Sequence, residues 1–187
     1  SKALRPHYIE SLCKFTVWEY SKRNVETLER NFNATKVHHV PLGYVPQMQC
    51  IDENYPKDID VLFYGAMNPR RQEIIRQLQQ RGIKIKAIER VFGHERNFHI
   101  ARSKIVLNMH YYTPGIFEEV RNSFLFANKK TVVCERNEDT TVPSRYEDSC
   151  CFAPYEELAD TIEKLLNEQE KCLTQGEQGF SIFSKMS

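Results

Sequence analysis

From Asp60 onward, short apolar runs alternate with segments of helical period, and the connections between them are brief. This alternation restricts the fold more than any other feature, because a strand, a helix and a second strand joined by short links form a crossover between parallel neighbours. DVLFYG (Asp60–Gly65) reads as a buried strand. The following helix, Arg70–Arg81, puts Ile74, Ile75 and Leu78 on one stripe and stops at Gly82. The pattern continues with a strand over Lys84–Glu89, a short helix near His94–Arg102, a strand over Lys104–Tyr111 and a helix from Ile116 to Ala127. Strands Thr131–Glu135 and Cys150–Pro154 come next, then a helix from Tyr155 to Asn167 with Leu158, Ile162, Leu165 and Leu166 facing inward. The expected class is α/β, a Rossmann-like parallel sheet with helices on both faces.

Upstream lies a smaller β-α-β piece. Lys14–Tyr20 is β-branched and aromatic, Ser21 is suited to cap a helix over Lys22–Arg30, and Lys36–Tyr44 reads as strand and turn. The polar stretch between Val45 and Lys57 holds Pro46 and Pro56 and has little periodicity, as a linker does. The expected organisation is a β-α-β end of a first domain over 1–45, a linker over 46–58 and the main domain over 59–187. With 26 Lys and Arg against 25 Asp and Glu, the net charge of +1 disfavours a broad surface for nucleic acid and leaves room for a local basic pocket. No apolar run reaches the roughly 18 residues of a membrane span, and SKALRPHYIESL has no signal core, so a cytoplasmic protein is expected. The six cysteines lack zinc-type spacing and read as free thiols; Asn33-Ala34-Thr35 reads as a chance sequon.

In open parallel sheets, ligands bind beyond the carboxyl ends of the strands, where helix N-termini present free N–H groups. Two segments fall there. GAMNPRR places a permissive Gly65, the amide of Asn68, a proline at the helix start and the guanidinium groups of Arg70 and Arg71 where a diphosphate would accept bidentate hydrogen bonds. The plain alternative is a solvated first helical turn. NMHYYTPGIFEEVR runs from a strand end through a Pro-Gly turn into a helix. Asn108 and His110, alternating onto one face, interrupt an otherwise apolar run, and Glu118, Glu119 and Arg121 occupy the next helix start. Those carboxylates suit ribose hydroxyls or, more plainly, a helix cap; His110 suits sugar or phosphate, or a satisfied core position. There is neither a Walker pattern nor G-x-G-x-x-G. Asp58-Ile59-Asp60 spells a metal-type D-x-D at the amino end of its strand, the wrong edge for ligand.

The ordered set DVLFYGAMNPRR, KIVLNMHYY and IFEEVRNSFLFANKKTVVCE resembles the C-terminal domain of GT-B glycosyltransferases, the glycosyltransferase-1-like group. WEYSKRNVETLERN with VPLGY is similar to the piece that crosses from their first domain, and the tail from Tyr155 to their closing helices. The resemblance implies a donor-binding half that takes a nucleotide diphosphate sugar, with no metal and no cofactor. The Gly65–Arg71 loop would face the diphosphate and Glu118–Arg121 the nucleoside and sugar. Arg70 or Arg71 would stabilise charge on the departing diphosphate. The acceptor, and the base that activates it, would come from a missing N-terminal domain or a partner chain. Two departures stand out: the family's glutamate three residues beyond Arg121 is Phe124, and the glycine of its A-x-G segment is replaced within Ala127–Lys130. With the first domain reduced to a remnant, these support an alternative, a non-catalytic nucleotide-sugar-binding or interaction module.

Overall fold

Alternation along three central strands separates two layers of core, and this is visible in a computed structural model that describes residues 6–32, 36–112 and 115–186. The sequon at 33–35 and the Thr113-Pro114 pair lie outside the described residues. The chain divides into two compact units, Ser1–Gly43 and Tyr44–Ser187.

The first unit holds α1 (Pro6–Lys14), β1 (Val17–Glu19), α2 (Lys22–Phe32) and β2 (Val37–His39), with β1 and β2 paired in parallel. The β-α-β reading matches these elements, whereas α1 was not expected. Ser21 precedes α2, and its hydroxyl accepts from the Asn24 amide at 3.4 Å.

The second unit is a five-stranded sheet in the order β4-β3-β5-β6-β7, every neighbouring pair parallel. Its strands are β3 (Ile59–Tyr64), β4 (Ile85–Ile88), β5 (Ser103–Asn108), β6 (Thr131–Glu135) and β7 (Cys151–Ala153). The helices are α3 (Pro69–Gln80), α4 (Gly93–Arg102), α5 (Glu119–Ala127), α6 (Leu158–Asn167) and α7 (Gln169–Phe183). Val61, Phe63, Ile105, Leu107 and Val133 face one way and pack with Ile74 and Leu78 of α3 and Leu158 and Ile162 of α6. Leu62, Val106 and Val132 face the other way, onto Ile100 of α4, Leu125 and Phe126 of α5 and Phe183 of α7. Both faces are covered, as continuous apolar strands require.

Local signals account for most boundaries. Asn68 caps α3 by accepting from the Arg71 amide at 2.9 Å, and Pro69 fills the first helical position. Gly82 takes φ +75° after the helix, and the Ile83 amide bonds back to Leu78 at 3.1 Å.

Several boundaries differ from expectation, among them the start of α6, which is Leu158 and not Tyr155, and two bear directly on the candidate site. β5 ends at Asn108 and not at Tyr111, so strand alternation does not relate Asn108 to His110. α5 begins at Glu119 and not at Ile116, because Ile116 bridges Thr141 and Phe117 buries its ring against Tyr146, 5.1 Å between centroids.

The stretch read as a linker is pinned along its length. The side-chain oxygen of Asn128 accepts from the amides of Cys50 and Ile51 at 2.9 and 3.0 Å, and its nitrogen donates to the carbonyls of Met48 and Phe124 at 2.8 Å each. Next to it, Lys129 holds φ +54°, two residues past Ala127. The backbone that a glycine would favour is therefore kept without the glycine, at a cost of about 1–2 kcal/mol.

Candidate functional site

The carboxyl ends of β3, β5 and β6 bring most of the expected site residues to one rim. Gly65 follows β3 with φ +148°, and a Cβ there would lie 3.5 Å from guanidinium nitrogens of both Arg71 and Arg121. The starts of α3 and α5 thus converge on a single glycine.

Arg71 is only 3% exposed, although it stands in the first turn of a helix. One terminal nitrogen donates to the Ala66 carbonyl at 2.7 Å and the other to the carbonyl of Met109; its plane lies over Phe63 and Tyr111. Burial holds its pKa below the ordinary arginine value, opposed mainly by Glu118. Arg70 closes a bidentate pair on Glu135, one nitrogen 2.6 Å from Oε2, and also donates to the His110 carbonyl at 3.2 Å. Its guanidinium lies 3.8 Å from the Tyr155 ring centre, and the Tyr155 hydroxyl donates to the Arg70 carbonyl at 2.7 Å. Both guanidinium groups sit at the expected edge, yet both are engaged by the protein. Their acceptors, Met109 and Glu135, lie far along the chain, so the local motif could not disclose them.

Arg121 is exposed to about the same degree as Arg70, and both reach solvent where Arg71 does not. Arg121 bonds Glu118 at 3.0 Å and Asn108 Oδ1 at 3.2 Å, and lies over the Tyr64 ring, 4.7 Å from its centre. Asn108 also donates to Asn122 Oδ1 at 3.2 Å, while the fully buried Asn122 side-chain nitrogen has no hydrogen-bond partner among the described residues. Burial pushes the Tyr64 hydroxyl up to about 12, so it stays protonated beside these arginines.

His110 is buried. Its Nε2 lies 3.3 Å from Thr140 Oγ1, and its amide donates to Glu135 at 2.9 Å. Burial lowers its pKa, outweighing Glu135 and Glu118, so the ring is neutral at neutral pH. A Cβ on Gly115 would fall 2.2 Å from Nδ1; the ring therefore occupies the space that only a glycine leaves. Asn68 completes the loop by donating to the Tyr111 carbonyl at 2.8 Å.

Glu119 does not join this group. Its carboxylate is nearly inaccessible and pairs with Arg145 at 2.5 Å. A helix-start carboxylate can turn either way, and only the fold shows that Glu118 meets Arg121 while Glu119 does not. Asp58 and Asp60 are paired as well, with Arg102 and with Lys104, at the opposite end of the sheet. Among the described residues no group of three or more His, Cys, Asp or Glu side chains stands together as a metal site would. Glu135, Tyr155 and Thr140 were not singled out from sequence. A carboxylate closing a buried strand, as Glu135 closes β6, was the available signal.

No protein-family profile matches the chain. It is 29% identical over 159 residues to the uncharacterized protein L140 of Acanthamoeba polyphaga mimivirus, covering 81% of this chain and 51% of that one. The chain thus spans about half the length of this curated relative. Among solved structures it is similar to HepE of Anabaena, crystallised in complex with UDP-glucose, with a TM-score of 0.63, 11% identity, and coverage of 95% of this chain and 62% of HepE. It is also similar to the C-terminal domain of the glycosyl transferase group 1 family protein LpcC from Francisella tularensis, with a TM-score of 0.51 and 12% identity, covering 76% of this chain and 97% of that domain. At these identities the likeness is one of fold.

Proposed function

We propose, for a chain that carries the fold of the C-terminal domain of GT-B glycosyltransferases, that it forms the donor-binding half of a glycosyltransferase acting on a nucleotide diphosphate sugar. The observation that carries this reading is the meeting of Arg71 and Arg121 at Gly65 on the carboxyl rim, with Asn108 and Glu118 bonded to Arg121 and the His110 carbonyl bonded to Arg70. HepE, of the same fold, is seen with UDP-glucose. Three arginines face two glutamates across this rim, so the cluster keeps a cationic excess that a diphosphate would neutralise.

In this reading Arg121, the N-terminus of α5 and the exposed edge of Arg70 take the diphosphate, and the buried Arg71 supplies fixed positive charge from behind. Such charge favours the leaving group as it separates, without rearrangement during the reaction. Neutral His110 takes a hydrogen bond from a sugar hydroxyl or gives one, but supplies no charge. Glu118, released from Arg121, accepts from the ribose. Transfer also needs an acceptor site and a base, which this reading assigns to a first domain or a partner chain.

The second reading, a donor-binding module without turnover, is favoured by Phe124. This half-buried ring lies 4.7 Å from the Arg96 guanidinium, where the resembling family carries a carboxylate. Calorimetry against UDP, GDP and their sugars tests both. Binding to at least one supports the donor site, and no binding at millimolar concentration by any of them overturns it. Hydrolysis or transfer of the bound sugar by the purified chain rejects the second reading.

A further inference from the structure

At the other end of the sheet, where β5 and β6 begin, a cavity of about 490 Å³ opens between the strand starts, the pinned segment near Glu53 and the junction of α6 with α7. This volume lies within the range of small-molecule sites. One wall is apolar: Leu166 and Leu173 line it, and Leu173 is 67% exposed. The other wall is cationic, with Lys57, Lys104, Lys129 and Lys130 against two carboxylates, Glu53 and Glu177.

The charges do not balance pair by pair. Lys104 bonds Asp60 at 2.7 Å and Lys129 bonds Glu177 at 3.1 Å, one carboxylate each. Lys57 and Lys130 instead share Glu53, Lys57 on Oε2 at 2.7 Å and Lys130 on Oε1. One carboxylate therefore serves two ammonium groups. The deeper of the two, Lys130, is 5% exposed, and burial with Lys57 nearby brings its pKa down to about 8. A buried cationic excess beside a greasy wall is costly when empty, and an anion with an apolar portion would relieve both terms.

We propose that this amino-rim cavity is a second ligand site, which takes an organic anion joining one carboxylate or phosphate group to an apolar chain. The anionic group lies between Lys57 and Lys130, and the chain lies along Leu166 and Leu173. The site is separate from the carboxyl rim and stands whether or not a nucleotide sugar binds there.

Calorimetry on the whole chain in phosphate-free buffer tests it with octanoate, octyl phosphate, octanol, octyltrimethylammonium and inorganic phosphate. Octanoate or octyl phosphate is expected to bind at least about ten-fold more tightly than any of the other three, and which of the two is preferred identifies the anionic group. Lys57→Gln and Leu173→Asp should each weaken that binding by about ten-fold or more. Both residues reach solvent, so these variants keep the test open even where Lys130→Met fails to fold. Binding just above neutral pH should also take up protons, because a bound anion returns Lys130 to its charged form. Octanol or inorganic phosphate binding as tightly as the amphiphilic anions, no binding by either anion, or affinity unchanged in Lys57→Gln and Leu173→Asp would each overturn the site.

Discussion

Arg70 and Glu135 close a two-pronged ion pair between the first turn of α3 and the last residue of β6, 65 positions apart in sequence. The Glu135 carboxylate has no solvent access, whereas Arg70 keeps one edge in contact with water. Arg70→Met leaves that carboxylate buried and under-satisfied, and should destabilise the fold by about 3 kcal/mol in urea unfolding. Burial alone would raise the Glu135 pKa, but the Arg70 fork, the Asn137 amide and the His110 backbone N–H outweigh it and hold the group below its ordinary 4.5. Below about 4.5 the unfolded chain takes up a proton that the folded chain resists, so this stabilisation is full above that value and is lost as pH falls through the folded one. The acid limb of the stability profile should flatten in Arg70→Met; an unchanged limb counts against the pair.

Gly115→Ala should reposition His110. The added methyl meets the imidazole at 2.2 Å, and the ring has to swing out of its place against Thr140. Affinity for the donor nucleotide sugar is expected to fall about ten-fold or more, and expelling the buried ring should lower the unfolding midpoint as well. Equal affinity in the variant would show that His110 makes no contact with the donor.

Gly176 and Gly179 lie within α7, where each costs about 1 kcal/mol relative to alanine by intrinsic propensity. Their value is closeness. A Cβ on Gly176 would come 2.4 Å from the Lys129 carbonyl, and one on Gly179 2.6 Å from that of Ser149. Alanine at either should therefore destabilise by about 1–3 kcal/mol, against the gain that helix propensity alone forecasts. Thermal unfolding decides, since the two effects have opposite sign.

Lys130 gives a second pH signature of the same sign, in the alkaline range. Its pKa falls to about 8 in the fold from an ordinary 10.5, so across that interval the unfolded chain holds the proton more tightly. Stability should rise with pH between those values, by on the order of 3 kcal/mol at full titration. The difference between the wild type and Lys130→Met isolates this rise from the other lysines; parallel profiles would refute it.

What could be read from residues alone was whatever local chemistry determines. β3, α3 and β6 were legible because an apolar run, an Asn-Pro cap and a stopping glycine all act within a few residues. The end of β5 was not, because Met109 is as apolar and buried as the strand before it and differs only in where its carbonyl points, toward Arg71. The rim was legible as a place and as a set of residue types. Which side chains are already engaged depended on contacts distant in sequence: Arg70 with Glu135, Glu119 with Arg145 and Arg71 with Met109. Tyr155, read as the first residue of a helix, is the surface on which Arg70 lies.

Asn128 spends its entire side-chain amide on residues 48–51 and on its own helix. Excising the sheet at Ile59 would remove three of those four partners together with Glu53, stranding a buried amide and a buried ammonium in the same cut. Any attempt to graft, swap or shorten what precedes the sheet therefore has to splice ahead of Met48, so that these partners travel with the sheet.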